Sequence, residues 1–317
     1  MDLIGHKQQL ELLRKARSMA RLAHAYVFTG PDGVGKKLAA LLFAKETFCT
    51  SAGPRPCDEC PQCKKVESMN HPDLIIISAE KKDITIDQTR QMQSSVQKFA
   101  MEGPCKIVII DEAERMNSAS ANSLLKTLEE PPKDTYLFLI TSRPHMLPPT
   151  IISRCQRISF SPLPTNELVT YLVSRDIDNK TAAILAGVSG GSIGMALSFP
   201  ADVIGDVVSA VEGVWGGAQD SDILEVAQRW SAFDTNSVLA ILLGIYRDIA
   251  LLKNANILPL FSSMSKAIEN ESEKLSPSVI QENIAIIKSA QADADTTYNK
   301  QLLFEELLFK LAGSHAG

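Results

Sequence analysis

The chain has no basic excess: 32 Lys and Arg stand against 37 Asp and Glu, giving a net charge of −5 and a pI near 5.6. That argues against a broad basic face that binds nucleic acid by counterion release and leaves room only for a local basic strip. Aromatic residues are few, at 6%, and no aromatic and basic residues interleave around the cysteines, which disfavours a free-standing zinc-dependent nucleic-acid-binding protein. The segment Met1-Asp2-Leu3-Ile4-Gly5-His6-Lys7 turns polar before an apolar core of signal-peptide length can form, and no later run reads as long enough to span a membrane. The expectation is a cytoplasmic protein. Disulfide frameworks are foreign to that compartment, so the six cysteines need another explanation. Neither an internal repeat nor a low-complexity tract is found.

What is present suits a globular protein of two or three domains: 317 residues, 45% of them hydrophobic and 22% charged. Short buried-type runs recur at Ala25 to Thr29, Leu74 to Ile77, Ile107 to Ile110, Leu137 to Ile140 and Ile158 to Phe160. Segments with helical spacing separate them, such as Asp87 to Met101, and this alternation predicts an α/β fold with a parallel sheet covered by helices on both faces. Past Phe160 the β-branched runs stop. Ser161-Pro162-Leu163-Pro164-Thr165 punctuates the chain, amphipathic stretches follow at Asn166 to Arg175 and Lys180 to Val188, and Ser189-Gly190-Gly191-Ser192 gives flexibility. From about Gly205 onward the apolar residues fall at three- and four-residue spacing, which predicts an all-helical end.

Between the first run and a helix-forming stretch lies Gly30-Pro-Asp-Gly33-Val-Gly35-Lys36-Lys37. A phosphate loop needs glycines for close backbone approach, N–H groups converging at a helix start and a lysine to neutralise charge, and Gly30, Gly33, Gly35 and Lys36 meet that need. The departure is Lys37, because a Ser or Thr hydroxyl there would ligate magnesium, whereas an ammonium has no lone pair to offer. Ile107 to Ile110 ends in Asp111-Glu112, where an aspartate orients magnesium and a glutamate polarises the attacking water. Weak or absent hydrolysis is expected, with binding of ATP or ADP left open and Mg²⁺ doubtful. Thr141-Ser142 sits where a polar residue would sense a terminal phosphate, though Thr at a strand end is also a common turn former.

Cys49, Cys57, Cys60 and Cys63 run as C-x7-C-x2-C-x2-C, a spacing that lets four thiolates close on one tetrahedral ion. Structural Zn²⁺ is the reading, with redox thiols, unliganded thiols or an iron–sulfur cluster as the alternatives that the same residues allow. Pro54, Pro56, Asp58 and Pro61 interrupt helix between the ligands and suit a loop-like insertion. Cys105 and Cys155 stand apart and read as packed residues. Arg154, in Thr150-Ile151-Ile152-Ser153-Arg154-Cys155 after Pro148-Pro149, is expected at an exposed turn or helix end, where it serves either a surface salt bridge or a phosphate in a neighbouring subunit.

Several segments together resemble the delta-prime family of bacterial clamp-loader subunits, within the AAA+ class. They are Ala23-His24-Ala25-Tyr26 before the phosphate loop, the four cysteines, Asp111-Glu112-Ala113-Glu114, Ala121 to Pro132 and Ser153-Arg154-Cys155. The resemblance implies a RecA-like domain with a zinc module at 1–161, a helical lid at 162–204 and a helical collar at 205–317. It implies a heteropentameric ring with gamma or tau and delta subunits, acting on the sliding clamp and primed DNA. It assigns Arg154 to a finger that completes the ATP site of an adjacent gamma or tau subunit. A further departure is Gly194 in Gly191-Ser192-Ile193-Gly194, where the lid motif ordinarily carries an arginine. The reading is therefore a largely non-hydrolysing structural subunit of the polymerase holoenzyme; the alternative is a gamma-like motor that hydrolyses ATP despite Lys37. Trp215, Trp230 and Leu239 to Leu252 are open to either a ring contact or internal packing.

Overall fold

In a computed structural model, residues 3–80, 82–255, 257, 259–294 and 299–315 are described; Met1 and Asp2 of the amino-terminal segment lie outside them. The chain divides into two compact units, Met1–Leu163 and Pro164–Gly317.

The first unit is built on five strands, β1 (Ala25–Thr29), β2 (Leu74–Ile77), β3 (Lys106–Ile110), β4 (Thr135–Thr141) and β5 (Gln156–Ser159), in the order β2-β3-β4-β1-β5. Every pairing is parallel. Its helices are α1 (Lys7–Ser18), α2 (Lys36–Phe48), α3 (Pro61–Glu67), α4 (Ile86–Val96), α5 (Ser118–Glu129) and α6 (Pro149–Ile152). Side chains alternate across the pleat. Tyr26, Phe28, Ile107, Ile109 and Phe138 join Leu13, Ala40 and Phe43 of α1 and α2 in one core. Val27, Val108, Ile110, Leu137 and Leu139 join Met92, Leu124, Leu128 and Ile151 of α4, α5 and α6 in another. Both faces are covered, which is why β1 and β3 are buried at every position.

Helix α4 is shorter than its spacing predicts. It starts at a capping box, Thr85 with Gln88, and ends at Gln97 rather than running to Met101. The reason lies downstream: the backbone N–H groups of Met101, Glu102 and Gly103 donate to the buried carboxylate of Asp73 at 2.7–2.8 Å, a partner that competes with helical pairing.

Among its described residues the second unit has only helices as regular structure: α7 (Thr165–Val173), α8 (Asn179–Val188), α9 (Ile193–Ser198), α10 (Ala201–Trp215), α11 (Asp220–Trp230), α12 (Thr235–Ala255), α13 (Ser265–Lys274), α14 (Pro277–Asp293) and α15 (Lys300–His315), with one short 3-10 turn at Ser262–Met264. One hydrophobic cluster extends from Leu168 to Leu311. Contrary to the expectation that no run approached membrane-spanning length, α12 has 21 residues and is apolar enough to qualify by length and composition. Val238, Leu239, Ile241, Leu242, Ile245 and Ile249 of α12 are instead buried in the unit's own core. Trp230 is fully buried and donates from Nε1 to Asp206 at 2.7 Å. Trp215 stands edge-on to Tyr246, and with Leu239 and Leu242 inside the same cluster these residues serve internal packing.

Candidate functional site

Three adjacent strands, β3, β4 and β1, deliver their carboxyl ends to one edge of the sheet, the edge at which ligands bind in parallel α/β folds. The loop after β1 holds Gly30, Gly33 and Gly35. A Cβ at Gly30 would come within 2.1 Å of the Phe160 carbonyl oxygen, so only glycine lets the loop pass β5's end. Gly35, at φ 104°, is the residue from which α2 starts. No side chain caps that start and no acid occupies the first turn, so its N–H donors are available to an anion.

Lys36 is buried and folds back on the loop, donating to the Gly30 and Pro31 carbonyls at 2.7 and 2.6 Å, with Asp32 3.8 Å away. Burial lowers its pKa, while the charges of Asp32, Glu114 and Asp111 act to raise it.

Lys37 reaches across to β3's end, where its ammonium lies 2.9 Å from Asp111 Oδ2. The aspartate that would orient magnesium is thus engaged by the residue standing in place of the magnesium-binding hydroxyl. This donor set does not fit a phosphate-bridging Mg²⁺: one ligand is missing and a positive charge sits on another. Glu112, in the left-handed region at φ 50°, pairs with Arg115 at 2.9 Å and not with a group of the loop.

Glu114, one turn on, accepts from the Ser142 N–H at 3.2 Å and its hydroxyl at 2.9 Å. Burial would raise its carboxyl, yet bonds from its own backbone, Thr141 and Ser142 outweigh that and hold it below the usual carboxylate range. Thr141 ends β4, buried, and its Oγ1 accepts from the Arg143 N–H at 3.0 Å. A cavity of about 470 Å³ brings together Gly33, Gly35, Lys36, Lys37, Asp111, Glu112 and Thr141 with Asp32, Met69, Glu114 and Ser142. Glu114 and Ser142 were named from the sequence only within longer motifs, and their pairing was not anticipated. The signal for that pairing was the third acid of Asp111-Glu112-Ala113-Glu114, a spacing that returns one carboxylate to the end of β4.

Arg154 follows the short α6 and is about a third exposed; its Nη2 donates to Glu129 at 2.7 Å and its Nη1 to the Thr150 carbonyl at 3.0 Å. Glu129, the last residue of α5, is a partner that sequence spacing did not indicate. Gly194 lies in the first turn of α9, in the second unit.

Cys49 caps the carboxyl end of α2, and Cys60 caps the amino end of α3 by accepting from the Cys63 N–H. The Sγ atoms of Cys49, Cys57, Cys60 and Cys63 all lie within 4.8 Å of one another, close to the edge of roughly 3.8 Å that a tetrahedral zinc thiolate site requires. Burial opposes ionisation of Cys60, but bonds from Cys63 and Thr50 outweigh it and bring its pKa down to about 5. Burial and then the neighbouring Cys60 push Cys63 up to about 12. A dication would let all four ionise together, so the cluster fits a bound metal such as zinc. Cys105 is packed in the core, its thiol raised to about 12 by burial, and Cys155 is likewise raised.

The cysteine segment is fastened to the sheet from two sides. Lys45 of α2, with no exposed side chain, pairs with Asp58 and with Glu67. Lys65 and Gln62 of α3 bond Glu102, whose own N–H is one of the three held by Asp73.

Residues 5–164 match the family model described as DNA polymerase III, delta subunit. The chain is 32% identical over 313 residues to DNA polymerase III subunit delta' of Bacillus subtilis, covering 95% of this chain and 94% of that one. It is 38% identical to the delta' subunit of Pseudomonas aeruginosa over 55% of this chain and 54% of the other. Against the tau subunit of Bacillus subtilis identity is 29%, over 98% of this chain and 61% of that one. The chain belongs to the delta-prime family of bacterial DNA polymerase III subunits.

Proposed function

We propose that this chain is the non-hydrolysing delta-prime subunit of a clamp loader, standing in a heteropentameric ring with gamma or tau and delta subunits that loads the sliding clamp onto primed DNA. In this reading the second unit divides into a lid at 162–204 and a collar at 205–317, and the cysteine cluster holds one structural Zn²⁺. Family membership supports the assembly. The observation that carries the non-hydrolysing part is the Lys37 ammonium at 2.9 Å from Asp111: the carboxylate needed to orient a metal is bound to a fixed cation, and Glu112 is turned to Arg115. Nucleotide, ATP or ADP, is held by Gly30, Gly33, Gly35 and Lys36 without being cleaved.

Arg154 is the finger. Its partly exposed guanidinium rests on Glu129 and the Thr150 carbonyl, and a neighbour's terminal phosphate is a stronger partner for its fork of donors than one exposed carboxylate. In a loader reconstituted with gamma or tau and delta subunits, Arg154→Ala should lower ATP turnover at the adjacent site by about 10³-fold, whereas Lys36→Ala in this chain should leave turnover unchanged. Full activity with Arg154→Ala would remove the finger; a Lys36-dependent loss of turnover would make this chain a motor.

A further inference from the structure

Helix α2 carries its charges in an unusual order. Two lysines, Lys36 and Lys37, open its first turn with no acid among them, although that end of a helix already bears partial positive charge and favours anions. One ammonium, that of Lys36, lies against the loop carbonyls; the other reaches Asp111 at 2.9 Å. Both line the same cavity of about 470 Å³, a volume in the range that holds a small organic ligand. Asp32 and Asp111 face these two charges, and Glu112 and Glu114 also line the cavity, so an anion entering it depends on the two ammoniums to offset four carboxylates.

We infer that the Lys37 ammonium takes over the bridging task of the divalent cation, so that this site binds a nucleoside polyphosphate without a metal. This rests on the reading of the loop as a nucleotide site and adds how that site handles charge. An ammonium has three donors. One is directed to Asp111, and because Lys37 is only half-buried, with 42% of its side chain exposed, two remain for phosphate oxygens on the cavity side. The lysine thereby links carboxylate to phosphate as a bound dication would. It does so with a fixed charge that opposes a dication at the same spot and cannot activate water. A diphosphate suits the arrangement best, since a third phosphate would extend toward Asp111 and Glu112 with no dication to screen them.

The test is titration of ADP into the purified full chain, by calorimetry, with chelator and then with Mg²⁺. The expected dissociation constant is the same in both conditions to within about threefold. Lys37→Thr, which supplies the hydroxyl and frees Asp111, should acquire metal dependence, binding at least about tenfold more tightly with Mg²⁺. Lys37→Met, which keeps the stem and removes the charge, should lose about tenfold in metal-free affinity, and Lys36→Ala should abolish binding and so confirm its location. Wild-type affinity that rises tenfold or more with Mg²⁺ would overturn the inference and leave the nucleotide site standing. Binding by Lys37→Thr with metal but none by the wild type would overturn it too, making Lys37 a plug. Absence of binding in every variant would overturn the nucleotide site itself, and the inference with it.

Discussion

The two ends of α2 treat cations in opposite ways. At the carboxyl end, where a helix carries partial negative charge, Cys49 joins three other sulfurs within 4.8 Å, a set that gains from a dication and would need one for all four thiols to ionise. At the amino end, Lys37 has an ammonium on the aspartate that orients a dication in an active site. In the function proposed above, one end would hold a metal for structure and the other would stand in for a metal without hydrolysis. The same thirteen-residue helix separates a motif from its chemistry: at one end four sulfurs gather as a metal would require, whereas at the other one altered residue beside intact glycines puts an ammonium on Asp111.

The largest effect that sharpens the contrast is metal removal. Stripping the ion with a chelator, or Cys63→Ser, should reduce bound zinc from one per chain to none and cost about 4 kcal/mol or more, read by metal analysis and denaturant unfolding. The phosphate-loop end should be indifferent to chelator. Acid should do the same as chelator, since thiolates are protonated as pH falls and the metal is released.

Next in size is Asp73→Ala, which leaves three backbone N–H groups and Lys106 without their acceptor and should cost about 3 kcal/mol. Burial alone would raise this carboxyl, but the bonds from Glu102, Gly103 and Met101 outweigh it and depress its pKa. Its contribution is therefore complete above the unfolded value of about 4 and disappears as pH falls through the lower folded value. Urea unfolding should show wild-type stability declining below that pH more steeply than the variant's; equal slopes would reassign the acid sensitivity.

The smallest effect belongs to the other end. Lys37→Thr removes a half-exposed ion pair and should change stability by less than about 1 kcal/mol, even as it changes the metal dependence of ligand binding. A loss comparable to that at the cysteines would mean that Lys37 is a structural prop, and the contrast between the two ends would fail.

Much of this was legible in order along the chain. Apolar runs mark β1 to β4 because they lie in the covered part of the sheet, whereas edge strand β5, exposed at three of its four positions, was expected two residues late at Ile158 to Phe160; the glycine loop and cysteine spacing are local signals whose chemistry needs neighbours only a few residues away. Helix α4 overran because nothing local announces that Asp73 takes the N–H groups of residues 101–103. Helix α12 was passed over as a long apolar run because Gly244, Arg247 and Asp248 interrupt it, Asp248 being buried with its carboxylate accepting from the Phe261 N–H at 2.9 Å. The pairings of Glu114 and Glu129 were not legible because their partners, Ser142 and Arg154, are brought to them by the return of β4 and by α6.

By itself the sequence determined which residues could carry chemistry: a phosphate loop lacking its hydroxyl, an acidic strand end, four cysteines at zinc spacing and an arginine after a short proline-led helix. Only the tertiary structure decided what those residues do to one another. Strand order sets β3 beside β4 and β4 beside β1, bringing Lys37 within hydrogen-bonding distance of Asp111. Side-chain charge is written locally, but whether a charge meets a metal, an acid or solvent depends on distances that only the packed sheet fixes, because electrostatic interaction weakens steeply with separation and screening.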